Sequence, residues 1–147
     1  MRIDGSITMP APPEQVWALF TDPRALQKAT PGCKSLEAIG PDEYQAQLSM
    51  GVAGIKGNYA GKIRLIDKRE PAHYRLVLEG SGTPGFVSGN GDMDFSAEGE
   101  GTKVVYSWDV QVGGLIAGVG QRVLGGVGKM MIDQFFKTLQ AELKKGV

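Results

Sequence analysis

The hydrophobic period of this chain changes once, near residue 115. Between Cys33 and Val112 apolar residues recur at every second position in successive short runs. From about Leu115 onward they recur at helical spacing, through Ile116, Val119, Val123, Val127, Met130, Met131, Phe135, Leu139 and Leu143. The alternating runs cover roughly 33–39, 44–52, 55–65, 74–79, 87–95 and 104–112. Short links such as Glu98-Gly99-Glu100-Gly101 separate them, so they read as hairpin-connected strands of an antiparallel sheet. One more strand precedes them, where Ile3, Gly5, Ile7 and Met9 alternate with Arg2, Asp4, Ser6 and Thr8.

Pro10, Pro12 and Pro13 end that first strand. Pro13 suits the first turn of a helix, where its missing N–H has no partner to lose. Val16, Trp17, Leu19 and Phe20 form the apolar side of this helix. Asp22-Pro23 opens a second short helix with Leu26 inward, ending by Thr30-Pro31-Gly32. The order is strand, two short helices, six strands and one long helix. Helices gathered on one face of an antiparallel sheet make an α+β domain. No linker, repeat or low-complexity segment divides it, so residues 1–147 are expected to form one domain.

The long helix carries an unusual load of glycine. Seven glycines fall between Gly113 and Gly128. Each interior glycine costs a helix roughly 0.8–1 kcal/mol relative to alanine. Either another surface approaches that backbone closely, or the helix must deform. Both suit a helix lying over an apolar cavity.

Composition removes several function classes. Lys+Arg and Asp+Glu balance at 16 each, so the basic footprint of a nucleic-acid binder is absent. Cys33 is the only cysteine and His73 the only histidine, which leaves neither an intramolecular disulfide nor a cysteine metal cluster. The opening MRIDGSITMP has no apolar signal-peptide core, and the most apolar stretch, 110–127, is broken by Gln111, Gln121 and Arg122. A cytoplasmic protein is expected.

Several pieces in a fixed order resemble a known family. They are Pro31-Gly32-Cys33 with Ser35-Leu36-Glu37, Ile55-Lys56-Gly57 with Tyr59 and Gly61, and Glu79-Gly80 with Gly82. Gly85-Phe86-Val87 with Gly89 and Gly91 follows, then Val112-Gly113-Gly114 with Ile116-Ala117, Val119-Gly120 and Arg122. Together they resemble the CoxG family of carbon monoxide dehydrogenase subunits, within the START-like (SRPBCC) helix-grip superfamily. The resemblance implies a curved sheet of about seven strands wrapped around a long C-terminal helix. It implies a non-catalytic accessory protein that recruits a molybdenum-containing CO dehydrogenase or related hydroxylase to the inner face of the cell membrane. It also implies a respiratory quinone held non-covalently in the internal cavity. Membrane contact is expected to be weak and peripheral.

For the cavity, Tyr59, Ile63, Leu78, Val87, Met93, Tyr106 and Trp108 are expected to face the long helix. Val123, Val127, Met130, Met131 and Phe135 are expected to face them from it. A solid core is the competing reading. Inward glycines at 57, 61, 89 and 91, adaptable methionines and the polar tips of Tyr59, Tyr106 and Trp108 favour a cavity. Phe86, in the glycine-rich segment 82–91, is read as an apolar plug at the mouth, against the alternative of a tight hairpin followed by a bulge. Lys129, Lys137, Lys144 and Lys145 read first as a solvated face that favours the helix dipole, and second as a weak attraction to anionic lipid.

Catalytic and metal readings are weak. His73 follows Pro71 in a turn and reads as solvated. Cys33 has no histidine near it in sequence. Gly57–Lys62 lacks the first glycine and the Ser/Thr of a phosphate loop, and Asn90, Asp92 and Asp94 lack the glycine and closing glutamate of a calcium loop. The alternatives to a carrier are a small cyclase- or hydratase-like enzyme using the same cavity, and an assembly factor with a filled core. No metal or covalent cofactor is expected.

Overall fold

The structure is a computed structural model and describes residues 1–51 and 55–145. Strand β1 (Arg2–Met9) leads into helices α1 (Pro13–Phe20) and α2 (Pro23–Ala29). Pro13 stands in the first turn of α1, and the Asp22 carboxylate caps α2 by accepting from the Arg24 N–H at 3.0 Å. Six strands follow: β2 (Cys33–Gly40), β3 (Glu43–Met50), β4 (Gly57–Arg69), β5 (His73–Gly82), β6 (Gly85–Glu98) and β7 (Gly101–Gly113). They form one antiparallel sheet in the order β1-β7-β6-β5-β4-β3-β2. Helix α3 (Gln121–Lys145) closes the fold.

The alternation in the sequence locates the strands but undercounts their length. β4 starts two residues later than expected, at Gly57, and runs on to Arg69, while β6 extends over Gly85–Glu98. Ile55 lies in the turn before β4, and Val52, expected to end the preceding strand, lies outside the described residues. The segment 82–91 is no gating loop and carries no bulge. β5 and β6 pair without a register shift up to Gly82↔Gly85, leaving only Thr83 and Pro84 in the turn.

The expected continuous C-terminal helix is also corrected. Gly114–Val119 is a 3-10 helix, and α3 begins only at Gln121. Gly120, between them, has φ +93° and ψ 152°, a conformation almost restricted to glycine. The Gly114-x-x-x-Gly118 spacing therefore lies outside the α-helix.

The packed core sits at one end of the sheet. Trp17 and Phe20 from the short helices meet Tyr74 and Phe95 from the sheet and Phe136 from α3. Phe20 and Phe95 have ring centroids 5.3 Å apart in a T-shaped contact, and Tyr106 lies 4.9 Å from Phe136. The Tyr74 hydroxyl donates to the Phe20 carbonyl at 3.1 Å, and the buried Thr102 hydroxyl donates to the Ala11 carbonyl at 2.7 Å. The sheet's other face is solvated and carries cross-strand charge pairs. Arg75 bridges to Asp92 at 3.1 Å and to Asn90, while Arg2 reaches Asp4 and Ser107. His73 is not simply solvated: its Nδ1 lies 2.9 Å from the Asp94 carboxylate in the neighbouring strand.

Candidate functional site

Strand register decides which side chains share the space under α3. On the inner face, Tyr74, Met93, Tyr106 and Gly5 form one row, and Leu76, Gly91, Trp108 and Ile3 the next. Beyond them come Ile63, Leu78, Gly89 and Val110, then Gly61, Gly80, Val87 and Val112. Burial falls along this direction. Tyr74 and Met93 are fully enclosed, whereas Ile63, Leu76, Leu78, Val87, Val110 and Val112 are only half-buried. α3 shows the same gradient. Ile132, Phe136, Leu139 and Leu143 are buried, while Leu124, Val127, Met131 and Phe135 are half-buried. α3 packs closely on α1, α2 and β1. Its first half therefore faces an incompletely filled apolar interior.

The residues named from the sequence separate into three groups. Ile63, Leu78, Val87, Tyr106, Trp108, Val127, Met131 and Phe135 are half-buried along this interior. Tyr59 and Met93 are buried, and both are structural. The Tyr59 hydroxyl donates to the Ile55 carbonyl at 2.7 Å, and Met93 belongs to the packed core. Phe86, Val123 and Met130 are corrections. Phe86 is 52% exposed and pairs with Ser81 and Gly113 on the outer ladder, where its ring covers Gly113. It plugs nothing. Val123 and Met130 are 46% and 39% exposed, because a helix with the buried positions 132, 136, 139 and 143 turns them toward solvent.

The inward glycines are not voids. A Cβ at Gly91 would come within 2.0 Å of Trp108 Cδ1, so the indole occupies that space. A Cβ at Gly61 would meet the Glu79 carbonyl at 2.1 Å, a close approach of two strands. The open glycines are elsewhere, at Gly118, Gly120 and Gly126, where a Cβ would meet nothing within 4 Å.

The inner face is uncharged. Burial pushes the Tyr106 phenol above its ordinary value, with the nearby Asp133 carboxylate adding to the effect. Desolvation does the same to Tyr59 and Tyr74. Burial also raises the Cys33 thiol, which keeps it protonated, and its Sγ contacts the Ser35 carbonyl at 3.3 Å. Among the described residues no cluster of three or more His, Cys, Asp or Glu side chains is placed to ligate a metal.

Two features have no counterpart in the sequence pattern. A groove of about 630 Å³ lies over the outer face where the small residues Ala60 and Ser81 sit between Lys62, Glu79 and Phe86. It depends on register across three strands, so no local pattern signals it. The second is an exposed apolar rim. The β5–β6 turn docks on the 3-10 helix through the Ile116 N–H, which donates to the Pro84 carbonyl at 2.8 Å. Phe86 and the 78% exposed Leu115 flank this junction. Among the described residues no helix is long and apolar enough to cross a membrane.

Comparison with known proteins agrees with this architecture. The family model for the carbon monoxide dehydrogenase subunit known as CoxG matches residues 5–144. A conserved protein from Geobacillus kaustophilus is 43% identical, with TM-score 0.95, over 99% of this chain and 96% of that one. A START superfamily protein from Mycobacterium smegmatis, only 12% identical, has TM-score 0.80 and covers 99% of both chains. No curated protein matches the chain.

Proposed function

The chain belongs to the CoxG family of carbon monoxide dehydrogenase subunits, and on that premise we propose that it is a non-catalytic carrier of a quinone or similar lipid-like molecule. The ligand lies between the inner face of β4–β7 and the first half of α3. The carrier serves a membrane-recruited, molybdenum-containing CO dehydrogenase or a related oxidoreductase. One observation carries this reading: the burial gradient along the inner face. Apolar side chains at the α1–α2 end are sealed, and equally apolar ones at the other end are left half-exposed. A chain of 147 residues that seals one end of its interior has the means to seal the other. Leaving it open suits a guest whose own apolar surface completes the burial, at roughly 25 cal/mol per Å².

A carrier must also collect its ligand. Leu115, Phe86 and Val123 form an exposed apolar rim near the exposed cations Arg122 and Lys129. This rim would touch an anionic bilayer reversibly, at the cytoplasmic face of the membrane. The enzymatic alternative has no comparable support, since the inner face offers no ionisable group beyond tyrosines with raised pKa values.

The test is direct. Organic extracts of the purified protein are analysed by mass spectrometry, and the ligand-free protein is titrated with a short-chain naphthoquinone while tryptophan fluorescence is followed. Saturable quenching with a stoichiometric ligand supports the carrier. Absence of both leaves the assembly-factor reading.

A further inference from the structure

Most polar groups beneath the sheet are already satisfied. The Tyr59 and Tyr74 hydroxyls donate to backbone carbonyls. One group is different: the Trp108 Nε1 is buried and, among the described residues, has no hydrogen-bond partner. A buried donor without an acceptor is costly, and such groups are rare in folded proteins.

Its surroundings define what would satisfy it. The indole lies over Gly91, close enough that a Cβ there would fall 2.0 Å from Cδ1, the carbon bonded to Nε1. Tyr106 flanks the ring at 5.9 Å. The register places half-buried Leu76 and Leu78 on the strand beyond Gly91. Lys62, Arg64, Glu79 and Asp109 all fall on the opposite face of the sheet, so no charge stands beside the N–H.

We propose that the Trp108 N–H is the specificity-determining donor of the cavity and selects ligands with an uncharged oxygen acceptor on an apolar body, such as a ring carbonyl. This deepens the carrier reading and rests on it. An indole N–H only donates, so the partner must accept. A carboxylate is disfavoured, because no cation is present to offset its desolvation. A pure hydrocarbon would leave the donor orphaned. What remains is a neutral carbonyl or ether oxygen, held at the Gly91 row with the tail directed toward the half-buried valines.

The experiment uses two probes of equal shape: 2-methyl-3-geranyl-1,4-naphthoquinone and the corresponding naphthalene hydrocarbon. Affinities are measured by calorimetry for the wild type and for Trp108→Phe. The wild type should favour the quinone by roughly three- to tenfold, the value of one neutral buried hydrogen bond. Trp108→Phe should abolish that preference and retain hydrocarbon binding. A second measurement does not depend on the variant. The protein has two tryptophans, so protein labelled with ¹⁵N-tryptophan gives two indole N–H signals. Quinone should shift the Trp108 signal downfield, and the hydrocarbon should not, with Trp17 in the packed core as the internal reference. If the quinone binds but the Trp108 signal does not shift downfield, or the preference survives Trp108→Phe, the donor assignment is wrong and the cavity reading stands. If neither probe binds the wild type, both fail together.

Discussion

Two glycines at the start of the long helix should respond to the same substitution with opposite sign. Gly126 lies inside α3, and a Cβ there meets nothing within 4 Å. Gly126→Ala thus adds helix propensity without a clash, a gain of about 0.8–1 kcal/mol. For a chain of this length the unfolding entropy is roughly 0.3 kcal/mol/K, so the melting temperature should rise by about 3 °C. Gly120 also has open space around it, but its φ of +93° decides the outcome. Alanine there must hold a conformation that costs about 1–3 kcal/mol, or shift the junction that starts α3 with the Leu124 N–H donating to the Gly120 carbonyl. Gly120→Ala should therefore lower the melting temperature by roughly 3–10 °C. Thermal and urea melts of the ligand-free protein decide the matter. A loss of stability in Gly126→Ala would show that the outer side of α3 packs against something in solution. A neutral Gly120→Ala would show that the junction relaxes freely. Either result refutes the reasoning.

Three further outcomes are expected. Gly91→Ala should drive the indole of Trp108 from its seat, costing about 1–3 kcal/mol by overpacking and shifting tryptophan emission; unchanged emission and stability would contradict the placement. Tyr74 is fully buried and its phenol is raised by desolvation, while the unfolded chain releases that proton near pH 10. Above that pH the unfolded state binds fewer protons than the native one, so stability falls as pH rises, and Tyr74→Phe should flatten the decline between about pH 10 and 12 in urea titrations. Leu115→Asp and Phe86→Asp should each weaken flotation with anionic vesicles at low salt, and wild-type binding should fade as salt rises; vesicle binding that ignores both substitutions would remove this rim from the membrane contact.

The sheet is legible in the sequence because period-two alternation records which side of a strand is wet. Tyr44, Leu65, Tyr74 and Phe95 announce an inner face without reference to one another. What stays hidden depends on relations between strands. Phe86 reads as a plug because it is a large apolar residue among glycines, yet its register with Ser81 and Gly113 places it outside. Gly91 reads as open space, but the residue that fills it stands 17 positions later and across a hydrogen-bonded pair. The break at Gly120 is hidden for a different reason. Gly118, Gly125 and Gly126 look identical to it in sequence, and only a backbone angle separates the one that precedes a helix from those that sit within one. Met130 and Met131 show how fine the distinction becomes. One step of helical rotation puts the first in solvent and the second at the interior.

The pairing of β1 with β7 has a consequence for synthesis. Arg2 faces Asp109 and Met9 faces Thr102, so the earliest strand of the sheet to leave the ribosome is matched by the last one made. Every other neighbour in the sheet is reached by a short connection, and β2 through β7 can zip together in chain order. β1 cannot. It waits, apolar on alternate positions and unpaired along both edges, while about a hundred residues are added. Its capture closes a long loop, a slow step for a chain of this topology. Until then the nascent domain displays a sticky strand, where a chaperone or a second nascent chain would meet it first.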